Sequence, residues 1–282
     1  MRLARRRRVG WLRIPEDDAA TPNDVTQVAS ATMLVLAAGS VLQASPIEML
    51  EAAAGAGFDG VGLRLSHGRM SPAAGLREIR MRADDLGLCI HDIEVHRVGE
   101  DTDAAPLVEA CAALGAPFLL AVSDLADESA TIDALSALSD TAALSGVAIG
   151  LEYMAWTMPK TAIDAVRVAH AARAKIVVDV LHHHRTGGGP SELRAIVDAG
   201  LLGWVQLCDA PYGAPNDLLH EARHARLIPA QGALPLAELI AVLPPAATIS
   251  VEVQSDELAT NMGPQGIASA LATAARSVMA AR

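Results

Sequence analysis

Residues 175–184 have the sequence KIVVDVLHHH, in which a short apolar run leads directly into Asp179. Residues 147–153, VAIGLEY, repeat this arrangement and carry Glu152 near their end. Short, nearly continuous apolar runs are typical of parallel strands that are buried on both faces. The two segments therefore predict a parallel sheet with acidic residues near the carboxyl ends of its strands.

Similar apolar runs alternate with stretches of helical periodicity along residues 31–282. The predicted strands are 31–37, 60–65, 88–95, 117–122, 147–153, 175–181, 203–208 and 248–253. The predicted helices include 46–56, 73–86, 104–114, 125–144, 160–172, 191–199 and 236–243. Several of these helices end at Gly, which favours the left-handed conformation of a helix cap.

Eight alternating units predict the α/β class and a single (β/α)₈ TIM barrel, which typically needs about 250 residues. A doubly wound open sheet is the alternative, but no G-x-G-x-x-G turn follows the first strand. Residues 31–282 show no linker that would divide them. Residues 1–30 are predicted to be a disordered basic extension outside the fold.

The charge of the chain is uneven. Six of the 22 Lys and Arg residues lie within residues 1–13, which contain no acid, so the remainder has 16 basic against 33 acidic residues. A body this acidic repels phosphate backbones, and we expect no nucleic-acid partner. The composition leaves a monomer and a homo-oligomer both open.

No segment predicts a membrane or secretory role. The apolar stretch 33–42 is shorter than the roughly 20 residues that cross a bilayer. Pro15 and Glu16 follow the basic start where a signal peptide would be apolar. Three cysteines without CxxC spacing, Cys89, Cys111 and Cys208, are expected to be buried free thiols. We expect a cytoplasmic protein with no membrane partner.

Four oxygen-bearing side chains recur on the last four predicted strands: Glu152, Asp179, Gln206 and Glu252. The intervals from Glu152 to Asp179 and from Asp179 to Gln206 both equal 27 residues, which predicts equivalent positions on successive strands. Active sites of TIM barrels lie at the carboxyl ends of the strands. Converging buried carboxylates need a counter-charge, and oxygen ligands suit one divalent ion, Mg²⁺ or Mn²⁺ in preference to Co²⁺ or Zn²⁺.

Side chains two apart on a strand share a face. Glu152 shares its face with Gly150, and Glu252 with Ser250, so these small residues are expected to leave space inside the barrel. The opposite faces are apolar and are expected to meet the outer helices.

This set of residues resembles the xylose isomerase-like barrels, which include sugar phosphate isomerases and epimerases, ketose 3-epimerases and inosose dehydratase. Asp179 and His182 match an Asp-x-x-His motif of that family, FDGVGLRL at 58–65 is similar to its second strand, and RLIPAQG at 226–232 is similar to a loop of it. The resemblance implies metal ligands at Glu152, Asp179, Gln206 and Glu252. Gln206 departs from the usual His, as in some 3-dehydroshikimate dehydratases, and Ala230 and Gln231 replace the usual Gly and Glu.

The resemblance implies a metal-dependent isomerase or epimerase that acts on a small polyhydroxylated carbonyl substrate. Glu152 and Glu252 would exchange the proton α to the carbonyl through an enediolate. The alternative is a dehydratase or lyase of the 3-dehydroshikimate or inosose type, in which His182 is a candidate acid. An apurinic endonuclease would need a His-rich multi-zinc site and a DNA-binding surface, neither of which the sequence shows.

Other residues are candidates for the mouth of the barrel. Arg226, Arg64 and Asp209 are predicted to bind substrate, although surface ion pairs would equally explain the two arginines. Glu94, His91 and His96, around the third strand, are further candidates for the mouth. Trp156 would either roof the pocket or cover the helices. The segment 186–189, Thr-Gly-Gly-Gly, lacks the Lys of a phosphate-binding loop and is predicted to be a flexible turn.

Overall fold

Every predicted strand is present in the computed structural model, which describes residues 32–65, 73–99 and 103–281. The strands are β1 Leu34–Leu36, β2 Gly60–Arg64, β3 Cys89–Val98, β4 Phe118–Ser123, β5 Ala148–Glu152, β6 Lys175–Asp179, β7 Leu202–Leu207 and β8 Ile249–Val251. They pair in parallel, in chain order, and β1 pairs with β8, so the sheet closes into a barrel. The predicted TIM barrel is confirmed. The predicted extension at residues 1–30 lies outside the described residues and stays a prediction.

Helices follow the strands around the outside of the barrel. They are α1 Pro46–Ala56, α2 Ala73–Leu86, α3 Ala105–Leu114, α4 Glu128–Ala143, α5 Ala162–Ala172, α6 Val180–Arg185, α7 Pro190–Asp198, α8 Leu218–His224, α9 Leu236–Ala241, α10 Asp256–Asn261 and α11 Pro264–Ala280, with a 3-10 helix at Ala38–Val41. Helix α1 shows why the boundaries were predictable. Ser45 and Glu48 form a capping box at its start, and Gly57 ends it with φ 75°.

The sixth strand is shorter than predicted. It ends at Asp179, and residues 180–185 form helix α6, because the Asp179 side chain accepts a hydrogen bond from the backbone N–H of His182 and caps that helix. The apolar residues Val180 and Leu181 are buried in this helix instead of continuing the strand.

The register of the strands is staggered. Asp179 pairs with Gln206, but Glu152 pairs with Val177, and Ser250, not Glu252, pairs with Gln206. The expectation of equivalent positions is therefore wrong for the two glutamates. Closing a sheet into a barrel tilts the strands and shifts their register, so equal spacing along the chain does not give equal register.

A small apolar cluster fills the barrel interior below the carboxyl ends of the strands. Its buried members are Leu120, Val122, Met154, Val177 and Trp204. The space beside Gly150 is occupied by Trp204, since a Cβ on Gly150 would lie 2.4 Å from Cη2 of that indole. The expected open space at this position is therefore absent, because one large ring takes it up.

The larger core lies between the barrel and the helices. It contains Ile149, Leu151, Ile249 and Val251, which confirms that these faces of β5 and β8 meet the outer layer. Among the described residues no helix has the length and apolarity needed to cross a membrane.

All three cysteines are free thiols. Cys111 and Cys208 are buried, but Cys89 is exposed because it is the first residue of β3, at the amino end of the barrel.

Candidate active site

A cavity of about 360 Å³ opens at the carboxyl ends of the strands. Its lining includes Arg64, Glu94, Glu152, Trp156, His182, Gln206, Arg226 and Glu252. This location is where TIM barrels carry their active sites, and the volume suits a small ligand. The structure thus brings together most of the site residues predicted from the sequence.

Glu152 is the last residue of β5 and is 7% exposed at the cavity. Its Oε1 lies 3.7 Å from Nε2 of His182. Burial, together with the neighbouring carboxylates of Glu252 and Asp179, raises the pKa of Glu152 well above its usual value. Without a bound cation this carboxyl group therefore holds a proton strongly.

Asp179 lies deeper, at the junction of β6 and α6, and is 1% exposed. Its Oδ1 accepts the backbone N–H of His182, and its Oδ2 accepts a hydrogen bond from Nη1 of Arg226. Burial alone would raise the pKa of Asp179, but Arg226 and His182 lower it below its usual value. The three-residue spacing in Asp-x-x-His is thus the spacing between a helix N-cap and the backbone N–H that it accepts. The helix that Asp179 caps also places the His182 ring at the cavity.

Arg226 is the internal counter-charge of the site. It is 3% exposed, and besides Asp179 its guanidinium donates to the carbonyl of Ala222 at 2.7 Å and to Oε2 of Glu252 at 3.3 Å. A surface ion pair, which the sequence left open for this residue, is wrong because the side chain is buried among carboxylates. Arg226 also lines the cavity, so its predicted contact with substrate stays a prediction.

Glu252 follows β8, and its carboxylate has two polar neighbours in addition to Arg226. Nε2 of Gln254 donates to its Oε1 at 3.2 Å, and Nη2 of Arg64 lies 4.0 Å from the same atom. Burial raises the pKa of Glu252, although Arg226 and Arg64 act in the opposite direction. The carboxylate of Glu252 is therefore better compensated than that of Glu152.

His182 is 4% exposed, and its ring meets the edge of Trp156 with 5.2 Å between the centroids. Burial lowers the pKa of His182 to about 4, and Arg226 acts in the same direction. The imidazole is consequently neutral at neutral pH, the form that binds metals. Trp156 lines the cavity and also packs against the hydrophobic core, so the structure supports both of its predicted roles.

The residues present fit a divalent cation. Ligand atoms of Glu152, Asp179 and His182 all lie within 4.8 Å of one another. Oε1 of Gln206 is buried and has no hydrogen-bond partner among the described residues, although buried amide oxygens are nearly always paired. A cation bound by these carboxylates would be a partner for that oxygen. The structure thus adds His182 to the predicted ligand set of Glu152, Asp179, Gln206 and Glu252.

Arg64 and Glu94 form the opposite wall of the cavity. Nη2 of Arg64 donates to Oε2 of Glu94 at 2.8 Å, and Glu94 is 1% exposed. The sequence placed Glu94 only among candidates for the mouth, because its partner lies on the neighbouring strand, 30 residues away. Of the other two candidates, His91 does not line the cavity: it is buried, pairs with Asp92 at 2.8 Å and packs against the ring of Trp204.

Asp209 is not part of the cavity. Its Oδ1 accepts the backbone N–H groups of Ala210 and Leu234, and the residue is 1% exposed. The predicted contact with substrate is therefore wrong. Asp209 lies two residues beyond the end of β7 and forms an antiparallel bridge with Leu227, so its carboxylate stabilises the backbone of the following loop.

The segment 186–189 is anchored. Nε2 of His183 donates to the carbonyl of Gly189, so Nδ1 is free to accept a hydrogen bond from the hydroxyl of Tyr153. A Cβ on Gly188 would lie 2.3 Å from the His183 ring. This chain of hydrogen bonds links the residue after Glu152 to the residue after His182. The predicted turn is present at residues 186–187, and these hydrogen bonds hold it against α6.

Comparison with known proteins agrees with the barrel fold. A family model for the xylose isomerase-like TIM barrel matches residues 50–276. The chain is 33% identical over 216 residues to the 3-dehydroshikimate dehydratase of Pseudomonas aeruginosa and 31% identical over 213 residues to that of Pseudomonas putida. Each match covers 69% of this chain and 33% of the relative, so the chain spans about a third of the length of these curated relatives.

Solved structures share the barrel. A xylose isomerase-like TIM barrel/4-hydroxyphenylpyruvate dioxygenase fusion protein superposes with a TM-score of 0.73 at 25% identity, over 85% of this chain and 41% of the other. The IolI protein, determined with a zinc atom, superposes with a TM-score of 0.74 at 18% identity, over 88% of this chain and 98% of the other. The second likeness shows the fold alone.

Proposed function

This chain belongs to the xylose isomerase-like TIM barrel family, and we propose that it is a divalent-metal-dependent dehydratase of a small hydroxylated carbonyl compound of the 3-dehydroshikimate kind. The observation that carries the proposal is Gln206, a buried amide with an unpartnered Oε1 where the isomerases usually have His. The two Pseudomonas relatives named above are 3-dehydroshikimate dehydratases, which supports the same reaction.

Glu152, Asp179, Gln206 and Glu252 would hold the cation, with His182 beside them. When bound, a divalent cation supplies Lewis acidity that polarises a carbonyl oxygen and stabilises the negative charge formed next to it. These residues would orient the carbonyl of the substrate toward the β5–β8 side of the cavity.

Glu152 is the base in this proposal. It is the less compensated of the two cavity glutamates, since His182 at 3.7 Å is its close polar neighbour, whereas Glu252 faces Arg226, Arg64 and Gln254. A carboxylate with few hydrogen bonds is the better proton acceptor. Glu152 takes the proton α to the carbonyl, and the hydroxyl on the β carbon leaves as water, so a C=C bond conjugated with the carbonyl is formed.

Isomerisation or epimerisation of a sugar is the second candidate, and the presence of both glutamates at one cavity favours it. In that reaction Glu252 would return the proton that Glu152 removes. The two reactions differ in what they ask of Glu252, which must be a proton donor for isomerisation but only a metal-holding carboxylate for dehydration.

The test is turnover of 3-dehydroshikimate and of a panel of ketoses by the protein loaded with Mg²⁺ or Mn²⁺. We expect loss of water from 3-dehydroshikimate, with Glu152→Gln lowering kcat by about 10²–10⁴-fold, as for removal of a general base. Because the amide keeps an oxygen ligand, the variant should retain bound metal in elemental analysis.

Glu252→Gln distinguishes the two reactions. In dehydration it should keep more activity than Glu152→Gln, and recovered substrate should gain little deuterium from heavy water. Equal losses for both variants on a ketose, with deuterium incorporation, would establish the isomerase instead. Wild-type turnover by both Gln variants would contradict both mechanisms.

A further inference from the structure

Glu94 is a buried carboxyl group at the cavity that the reaction described above does not use. Its Oε2 accepts a hydrogen bond from Arg64, but its Oε1 has no partner among the described residues. The side chain is 1% exposed and lines the same cavity as Glu152 and Glu252. An unpaired buried acceptor is costly, but protonation of the carboxyl group turns one oxygen into a donor for a ligand.

The charged groups around Glu94 come from four strands. Arg64 on β2 favours its ionised form, whereas Asp92 on β3, Glu152 on β5 and Glu252 after β8 oppose ionisation. Burial is the largest influence, and together these groups raise the pKa of Glu94 to about 8. His182, the other acid that the sequence suggested, has a ligand atom within 4.8 Å of those of Glu152 and Asp179, so its ring nitrogen faces the proposed cation and not the leaving oxygen.

We propose that Glu94 is a further catalytic residue, the acid that protonates the hydroxyl group leaving the substrate. This role rests on the proposed dehydration. Glu94 on β3 and Glu152 on β5 line the same cavity from two strands that are separated by β4, so one can face the leaving oxygen while the other faces the adjacent α carbon.

The step is balanced in atoms and electrons. The bond between carbon and the leaving oxygen breaks, its electron pair goes to oxygen, and the proton on Oε1 of Glu94 joins that oxygen to give water. The electrons of the α C–H bond form the C=C bond, and the proton goes to Glu152. Arg64, 2.8 Å from Oε2, stabilises the new Glu94 carboxylate, and both glutamates return to their initial state by proton exchange with solvent.

The first experiment compares Glu94→Gln with Glu221→Gln in the Mn²⁺-loaded full chain acting on 3-dehydroshikimate. Glu221 is also buried and paired with an arginine, Arg185 at 2.7 Å, but it does not line the cavity. We expect Glu94→Gln to lower kcat by about 10²–10⁴-fold with KM and bound metal nearly unchanged. Glu221→Gln should stay within about threefold of wild type, because Glu221 does not line the cavity and cannot touch the reacting atoms.

Two further measurements separate an acid from a residue that only shapes the site. The kcat of wild type should fall at high pH as Glu94 ionises, and Glu94→Gln should lack this fall. An analogue with fluorine in place of the leaving hydroxyl needs less protonation, so the deficit of Glu94→Gln should shrink at least tenfold on it. Glu94→Asp, which keeps an acid, should recover part of the activity if the Gln variant folds poorly.

Each result has one meaning. Wild type that does not dehydrate 3-dehydroshikimate overturns the proposed function itself. Active wild type with an equally active Glu94→Gln, or with the same deficit on the hydroxyl and fluoro substrates, overturns the role of Glu94 alone. A rise in KM with unchanged kcat would make Glu94 a binding residue and would also overturn the proposal.

Discussion

Arg226 and Arg64 line the same cavity but are held in different ways. The guanidinium of Arg226 is buried and donates to Asp179, to Glu252 and to the carbonyl of Ala222. The side chain of Arg64 is 28% exposed, and its Nε has no hydrogen-bond partner among the described residues. The carboxylates on the β6–β8 side of the cavity therefore have an internal counter-charge, and the unpaired oxygen of Gln206 on that side suits a cation. The β2–β3 side keeps an unpaired guanidinium N–H for a ligand.

The largest effect on stability is expected from removing Arg226, and removing Arg64 is the comparison. Arg226→Met leaves two buried carboxylates without their counter-charge and should lower the free energy of unfolding by about 3–5 kcal/mol in urea denaturation. Arg64→Met should lower it by less than half as much, because Arg64 is partly exposed and Glu94, whose pKa is raised to about 8, already holds a proton at neutral pH. Equal losses would show that the two sides of the cavity are held alike.

Metal addition sharpens this prediction. Mn²⁺ should raise the Tm of Arg226→Met more than that of wild type, because a cation replaces the lost positive charge and binds only the folded state. Arg185→Met is the matched control, since Arg185 is buried and paired with Glu221 away from the cavity. If Mn²⁺ stabilises both variants equally, the carboxylates near Arg226 do not form a metal site.

The two sides should also respond to opposite changes of pH. The pKa of His182 is lowered from 6.5 to about 4, so its contribution to stability is present above pH 6.5 and is lost as pH falls from 6.5 toward 4. The pKa of Glu94 is raised from 4.5 to about 8, so its contribution is present below pH 4.5 and is lost as pH rises from 4.5 toward 8.

Unfolding measured against pH in the presence of EDTA tests this contrast. Glu94→Gln should flatten the stability profile between pH 4.5 and 8, and His182→Asn should flatten it between pH 4 and 6.5. The assignment of these pH ranges is wrong if Glu94→Gln changes the profile only below pH 4.5, or if His182→Asn changes it only above pH 6.5.

A smaller effect is expected from Gln206→His. Imidazole suits Zn²⁺ and Co²⁺ better than a neutral amide oxygen does. The ratio of the affinity for Zn²⁺ to the affinity for Mn²⁺ should therefore rise by about tenfold, or about 1.4 kcal/mol, in this variant. Gln254→His is the control, because Gln254 lines the cavity but lies outside the predicted ligand set. The same preference in both variants, measured by titration calorimetry, would show that Gln206 does not bind the metal.

The barrel was predictable from the sequence because its signals are local. An apolar run, a capping residue such as Ser45 and a glycine such as Gly57 each act on their own segment. The short helix α6 was missed because its apolar residues, Val180 and Leu181, look like a continuation of the strand. Only the side-chain cap of Asp179 shows that the strand ends there.

The cavity residues were predicted less evenly. Glu152, Gln206 and Glu252 were found because they follow apolar runs of recognisable parity. Arg226, Glu94 and Asp209 were assigned incompletely or wrongly because their partners are far away in the chain: Arg226 meets Asp179 across 47 residues, and Asp209 accepts the N–H of Leu234 across 25. Such pairings depend on the closed barrel and on loop paths, which no local pattern encodes.

The indole of Trp204 fills the space that a side chain at position 150 would need, since even a methyl group on Gly150 would overlap the ring. A larger residue at 150 overpacks the interior while Trp204 stays, and a smaller ring at 204 leaves a void while Gly150 stays. Each single replacement is thus penalised, and only a paired exchange restores the fit. The fold thus makes the side-chain volumes at 150 and 204 a single constraint, which two simultaneous substitutions can satisfy and one cannot.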